Sequence, residues 1–122
     1  MILVIDDASD VPIYMQIRNQ IVKGISDGTL EKGEQLPTVR ALAQEIGINA
    51  MTVNKAYQTL KREGYIFTDR RNGAKVMQSF SQEKALDKSQ QEALKQIIAE
   101  AKIQGMTRED FIKLCEKLYQ GW

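Results

Sequence analysis

The chain has 122 residues, 43% of them apolar and 27% charged, with a formal net charge of +1; this suits one small globular domain with an appendage, whose modest core would gain from oligomerisation. A single cysteine, Cys115, and no histidine exclude an internal disulfide, a thiol pair for redox or metal work, and the usual general base. No apolar run approaches the roughly 20 residues that span a bilayer, and no basic region followed by an apolar core opens the chain, so the expectation is a cytoplasmic protein with no membrane partner.

Residues 1–5 are apolar and rich in β-branched side chains, a short strand or a tethered arm, and Asp6, Asp7 and Asp10 follow at once. Three acids ahead of a helix complement its dipole more readily than they hold a metal, so no metal site is expected. Pro12 suits a first helical turn, Asp10 can cap it or favour its positive end, and Ile13, Ile17, Ile21 and Ile25 recur every four residues on a first helix ending at Asp27-Gly28. Lys32-Gly33-Glu34 makes a turn into a short extended segment before Pro37.

Thr38 is a good N-cap for a second helix with Val39, Leu42, Ala43 and Ile46 on its apolar stripe, and Gly47 can end it. Asn49 suits the cap of a third helix, on which Val53, Ala56, Tyr57 and Leu60 share one buried face. That spacing leaves Ala50, Thr52, Asn54, Lys55, Gln58, Thr59 and Arg62 pointing away. Gly64 closes the helix, and 65–68 and 74–77 read as two strands joined across Asp69-Arg70-Arg71-Asn72-Gly73, with Asn72-Gly73 the turn signal. A hairpin behind the second helix of a helix-turn-helix is a wing.

From Gln82 onward helix formers dominate, and Leu86, Ala93, Leu94, Ile97, Ile98 and Ala101 mark one face of a long helix stopping near Gly105. Thr107 with Asp110 resembles a capping box for a last helix with an apolar face of Phe111, Ile112, Leu114, Cys115, Leu118 and Tyr119. Cys115 sits on that stripe as a packing residue. Two such helices cannot bury both faces alone; they must pack on the winged domain, on a second copy, or on both.

The charge is unevenly spread. Residues 31–78 hold eight Lys/Arg against five Asp/Glu, residues 1–30 are net −2, and 79–122 are neutral, so the basic excess coincides with the helix-turn-helix and wing. The outward face of the third helix is small or hydrogen-bonding: Asn54 and Gln58 can read adenine edges, Lys55 can reach guanine or phosphate, and Thr52 at the helix start can hold a phosphate. Arg70 and Arg71 at the wing tip, which Gly73 shapes, can reach phosphates or the minor groove, and Arg40 early in the second helix can clamp a phosphate. No nucleophile has a base partner and no glycine loop cradles a phosphate, so neither an enzyme nor a cofactor is expected.

These residues carry a family resemblance. Pro12-Ile13-Tyr14-Met15-Gln16-Ile17, Gly33-Glu34-Gln35-Leu36-Pro37-Thr38-Val39-Arg40, Thr52-Val53-Asn54-Lys55-Ala56-Tyr57 and Leu60-Lys61-Arg62-Glu63-Gly64 together resemble the GntR family of bacterial transcription regulators, in its short YtrA-like branch. The resemblance implies a mainly α fold with a small β-wing: a winged helix-turn-helix over residues 1–78, then a two-helix dimerisation appendage over 79–122. It implies a homodimer on a palindromic double-stranded operator, repressing its own operon, which in this branch often encodes an ABC transporter. Arg40 matches the family's DNA-contacting arginine and Thr52 its backbone-holding threonine. Ala50, Met51, Asn54 and Lys55 occupy DNA-facing positions, although Asn54 stands where many relatives have arginine and Ala50 and Met51 bond poorly. Leu94, Ile97, Ile98, Ala101, Phe111, Cys115, Leu118 and Tyr119 are the dimerisation set. The short appendage leaves no room for a large enclosed pocket, so an unknown small-molecule effector would need a small or shared site, such as a groove between protomers. The rival reading is a winged-helix module that docks protein instead of DNA, which a steep loss of duplex affinity with salt would rule out.

Overall fold

The computed structural model describes residues 1–71, 73–81 and 85–121; Asn72 of the expected turn and Gln82 lie outside the described residues. The chain divides into two compact units, Met1–Phe80 and Ser81–Trp122.

In the first unit, α1 (Ile13–Ser26), α2 (Val39–Ile46) and α3 (Ala50–Arg62) are followed by the antiparallel pair β1 (Ile66–Asp69) and β2 (Gly73–Val76). The isoleucine stripe of α1 drives its burial: Ile17 and Ile21 are wholly inaccessible, and Ile13 and Ile25 pack partly buried at the same core. Pro12 is the N-cap and supplies no side-chain bond, so Asp10, two residues further out, does not cap this helix.

Residues 1–5 form a tethered arm rather than a strand. The Gln20 side-chain amide accepts from the Val4 N–H (2.9 Å) and donates to the Val4 carbonyl (2.6 Å), and Gln16 does the same for Asp6 (2.8 and 2.9 Å). Met1, Leu3 and Ile5 turn toward the core while Ile2 and Val4 face solvent, the alternation of an extended chain.

Both helices of the helix-turn-helix start and stop where local chemistry dictates. Thr38 Oγ1 accepts from the Ala41 N–H (3.0 Å) at the start of α2, and Gly47, at φ 68°, ends it in the left-handed region. Asn49 Oδ1 accepts from the Met51 N–H (2.7 Å) at the start of α3. Val53, Ala56, Tyr57 and Leu60 are buried as their spacing predicts. Thr59 is buried too, against the expectation that it points outward; its hydroxyl donates to the Lys55 carbonyl one turn back (2.8 Å), which satisfies the polar atom and lets the methyl pack.

The hairpin pairs Ile66 with Val76 and Asp69 with Gly73, so β1 lies one residue later, and β2 one residue earlier, than the sequence pattern suggests. The outer edge of β2 is taken by the segment before α2: the Gly33 and Leu36 N–H groups donate to the Val76 and Ala74 carbonyls, and Gln35 forms a bridge with Lys75. Gly73, at φ 75°, opens β2 in a conformation that a side chain would strain. Arg18 of α1 makes a bidentate pair with Glu63, both bonds 3.0 Å, with its guanidinium 5.6 Å from the Tyr65 ring centre. The Glu63 hydrogen bond, against a smaller opposing effect of burial, holds the Arg18 pKa above its ordinary value.

In the second unit, α4 (Lys88–Ile103) and α5 (Arg108–Tyr119) flank a turn at Gly105. The long helix begins at Lys88, so Leu86 precedes it; Asp87 and Gln90 exchange the reciprocal bonds of a capping box and set the start. Thr107 Oγ1 accepts from the Asp110 N–H (3.1 Å) at the head of α5. Neither helix contains a buried residue.

Tyr57 links the core to the helix-turn-helix entry: its hydroxyl donates to the Pro37 carbonyl (2.8 Å), immediately before the α2 cap. Burial, with a contribution from the Glu45 charge, pushes the phenol well above its usual range and keeps it a donor at all ordinary pH. Tyr57→Phe leaves that carbonyl without its partner and should cost about 1 kcal/mol, read as a lower denaturant midpoint at unchanged slope.

Candidate nucleic-acid interface

Because α3 buries Val53, Ala56, Tyr57 and Leu60, its remaining face is set by helical geometry. Ala50, Met51, Asn54, Lys55 and Gln58 are all exposed, Met51 to 80%, and Thr52 is half-buried. With Val39 of α2, those five line one open depression. A second depression, on the α1 side, is lined by Ile13, Tyr14, Met51, Thr52 and Lys55. The Lys55 ammonium lies 4.2 Å from the centre of the Tyr14 ring.

No acidic residue occurs in α3, whereas Lys55, Lys61 and Arg62 do. The carboxylate at its C-terminal cap, Glu63, is engaged by Arg18. The face is therefore free of the charge that would repel a polyanion, and its amides Asn54 and Gln58 carry both donors and acceptors. Arg40, second residue of α2, is exposed beside Val39.

The remaining candidates sit apart from this cluster, on the hairpin. Arg70 and Arg71 are exposed at the turn, where the Arg71 N–H donates to Asp69 Oδ1 (2.9 Å), and half-buried Gly73 begins β2. Ile13 and Tyr14 are additions that sequence reasoning does not assign to this surface. Spacing places Ile13 only on the α1 stripe, and the signal for Tyr14 is an aromatic ring lying one position off that stripe.

The second unit presents a different chemistry. Leu94, Ile97, Leu118 and Tyr119 are exposed, Tyr119 to 94%, while Ile98, Ala101, Phe111 and Cys115 are half-buried. Ile98, Ala101, Met106, Phe111 and Ile112, with Lys102 and Arg108, line a groove of about 350 Å³. Among the described residues, no cluster of His, Cys, Asp and Glu could hold a metal ion, and no helix is long and apolar enough to cross a membrane.

Comparison with known proteins agrees with this fold. The family model for bacterial regulatory proteins of the gntR family matches residues 13–76. The HTH-type transcriptional repressor YtrA of Bacillus subtilis is 38% identical over 107 residues, covering 86% of this chain and 82% of that one. Among solved structures, a transcriptional antiterminator from Listeria monocytogenes EGD-e superposes with a TM-score of 0.86 at 30% identity, covering 96% of this chain and 89% of that one. The DNA-binding domain of AraR, solved in complex with operator ORX1, matches 61% of this chain and 92% of its own length at 26% identity and a TM-score of 0.53. A winged helix-turn-helix with this element order, matched over most of its length by YtrA, makes the chain a YtrA-like member of the gntR family of bacterial transcriptional regulators.

Proposed function

We propose that this protein is a repressor that binds a palindromic operator as a homodimer and controls its own operon. The observation that carries the reading is the exposed face of α3, which offers amides, small side chains and cations without a single carboxylate. Such a face enters a major groove, where Asn54 and Gln58 meet adenine edges and the small Ala50 leaves room for close approach. Arg40, Thr52, Arg70 and Arg71 take phosphates and set the register, with Gly73 shaping the wing tip. The operator complex of the related AraR domain supports this docking, and the repressor YtrA supports the direction of control.

In this reading residues 1–78 bind DNA and 79–122 dimerise. The apolar positions Leu94, Ile97, Ile98, Ala101, Phe111, Cys115, Leu118 and Tyr119 have nothing within their own unit to bury them fully, and a second copy supplies the missing partner. Two-fold pairing of recognition helices requires a two-fold DNA site. A small effector acting at that interface would change the separation of the two α3 helices and so the fit to the half-sites.

Fluorescence anisotropy against duplex DNA from upstream of the gene, beside a scrambled duplex at two salt concentrations, tests the reading. Tight, sequence-selective and salt-sensitive binding is expected; equal, salt-insensitive affinity for both would point to a protein-docking module instead. Arg40→Ala and Arg71→Ala should weaken every duplex alike and lower the salt slope by about 1 each. Asn54→Ala should instead lose roughly 1–3 kcal/mol of discrimination at one base pair, visible as a changed preference in a panel of point-substituted operators. Ile97→Asp or Leu118→Asp should give monomers by light scattering, with operator affinity down by about a hundredfold as the second half-site is lost.

A further inference from the structure

Lys55 stands on the ridge between the two depressions beside α3. On one side it lines a surface with Val39, Ala50, Asn54 and Gln58; on the other it meets Ile13, Tyr14 and Thr52. Its ammonium is on the second side, over the Tyr14 ring at 4.2 Å from the ring centre. The ring is half-buried and packs against the core, so the fold holds it in place. The lysine stem is exposed and by itself free to swing.

Resting on the DNA-binding reading above, we infer that Tyr14 is a positioning residue: it draws Lys55 off the base-reading face of α3 and aims it at the phosphate backbone flanking the groove. Asn54 and Gln58 are one turn apart and share a face, whereas Lys55 is rotated from Asn54 by about 100° toward α1. An ammonium on a ring face keeps its full charge, since the ring attracts it through a quadrupole and takes no proton. Its outward N–H donors stay available to an anion. A lysine held on the α1 side of the helix meets phosphate as a point charge, whereas the guanine edge that lysine can also read lies on the side toward Asn54 and Gln58, from which the ring draws it. The division of labour is then definite: Lys55 supplies affinity, and Asn54 and Gln58 supply sequence preference.

The test uses the full chain, the tightest-binding duplex it selects from a random-sequence pool, and a scrambled version, each titrated over a salt series. K55A should weaken both duplexes by the same factor and lower the salt slope by about 1. In a Y14F background, which keeps the ring face, K55A should still lower the salt slope by about 1. Y14L should weaken both duplexes about threefold and add nothing in a K55A background. A K55A loss confined to the selected duplex would make Lys55 a base reader and overturn the assignment, as would a Y14L effect undiminished in K55A. A measurement without substitution stands beside these: the Lys55 ε-methylene protons should carry an upfield ring-current shift, free and on DNA, and a shift absent from the complex would overturn the positioning role. Absence of salt-dependent duplex binding by the unaltered chain would instead remove the DNA-binding reading on which the assignment rests.

Discussion

The packing of α3 through Val53, Ala56, Tyr57 and Leu60 into the core shared with Ile17 and Ile21 of α1 and Leu42 of α2 is the contact on which the first unit depends. A helix of 13 residues that commits four positions at this spacing to the interior has its rotation about its own axis determined. Asn54 and Gln58 are outward for the same reason that Val53 and Tyr57 are inward. Tyr57 adds a second restraint by holding the Pro37 carbonyl, so the approach to α2, and with it the placement of Arg40, is tied to the buried face of α3.

Electrostatics follows from that arrangement. A chain with a net charge of only +1 has no strong overall field to attract a polyanion, so local sign matters more than the total. The exposed face of α3 is clear of carboxylates, and Glu63 at its end is turned into a bidentate partner for Arg18. That pair is only partly shielded, with side-chain exposures of 16% and 35%, so it orients α1 against α3 more than it stabilises them. The Tyr65 ring, which also meets Phe80 at 6.3 Å, continues this junction toward the end of the unit.

The features legible in the sequence are those written by neighbours a few positions apart. Thr38, Gly47 and Asn49 mark helix ends because each cap is a contact between residues two to four apart, and the four-residue isoleucine stripe names the inner face of α1 directly. Features that need distant partners are not legible. Gln20 bonding Val4, Arg18 bonding Glu63 and Lys55 resting on Tyr14 each join segments 16 to 45 residues apart. Thr59 escapes the pattern because a threonine looks polar in a sequence, although its hydroxyl can be satisfied by its own helix. The start of α4 escapes it because composition favours helix before Lys88, while the Asp87 capping box decides the boundary. In the candidate interface, spacing alone lists the outward side chains of α3, but it does not reveal which of them lean toward α1.

In the N-terminal arm, two glutamine side chains take the place of a neighbouring strand. Gln16 and Gln20 bond the backbone at Asp6 and Val4, two residues apart, and make no demand on the identity of the side chains there. In the observed register Met1, Leu3 and Ile5 turn inward. The run Met1–Ile5 is apolar throughout, so a slide by one residue would bring Ile2 and Val4 inward in their place, and neither the apolar row nor the glutamine bonds favour even steps over odd ones. What bounds the arm is the acidic pair that follows it: moving the chain by one or two residues toward its N-terminal end would put Asp6 or Asp7 in the inward slot of Ile5.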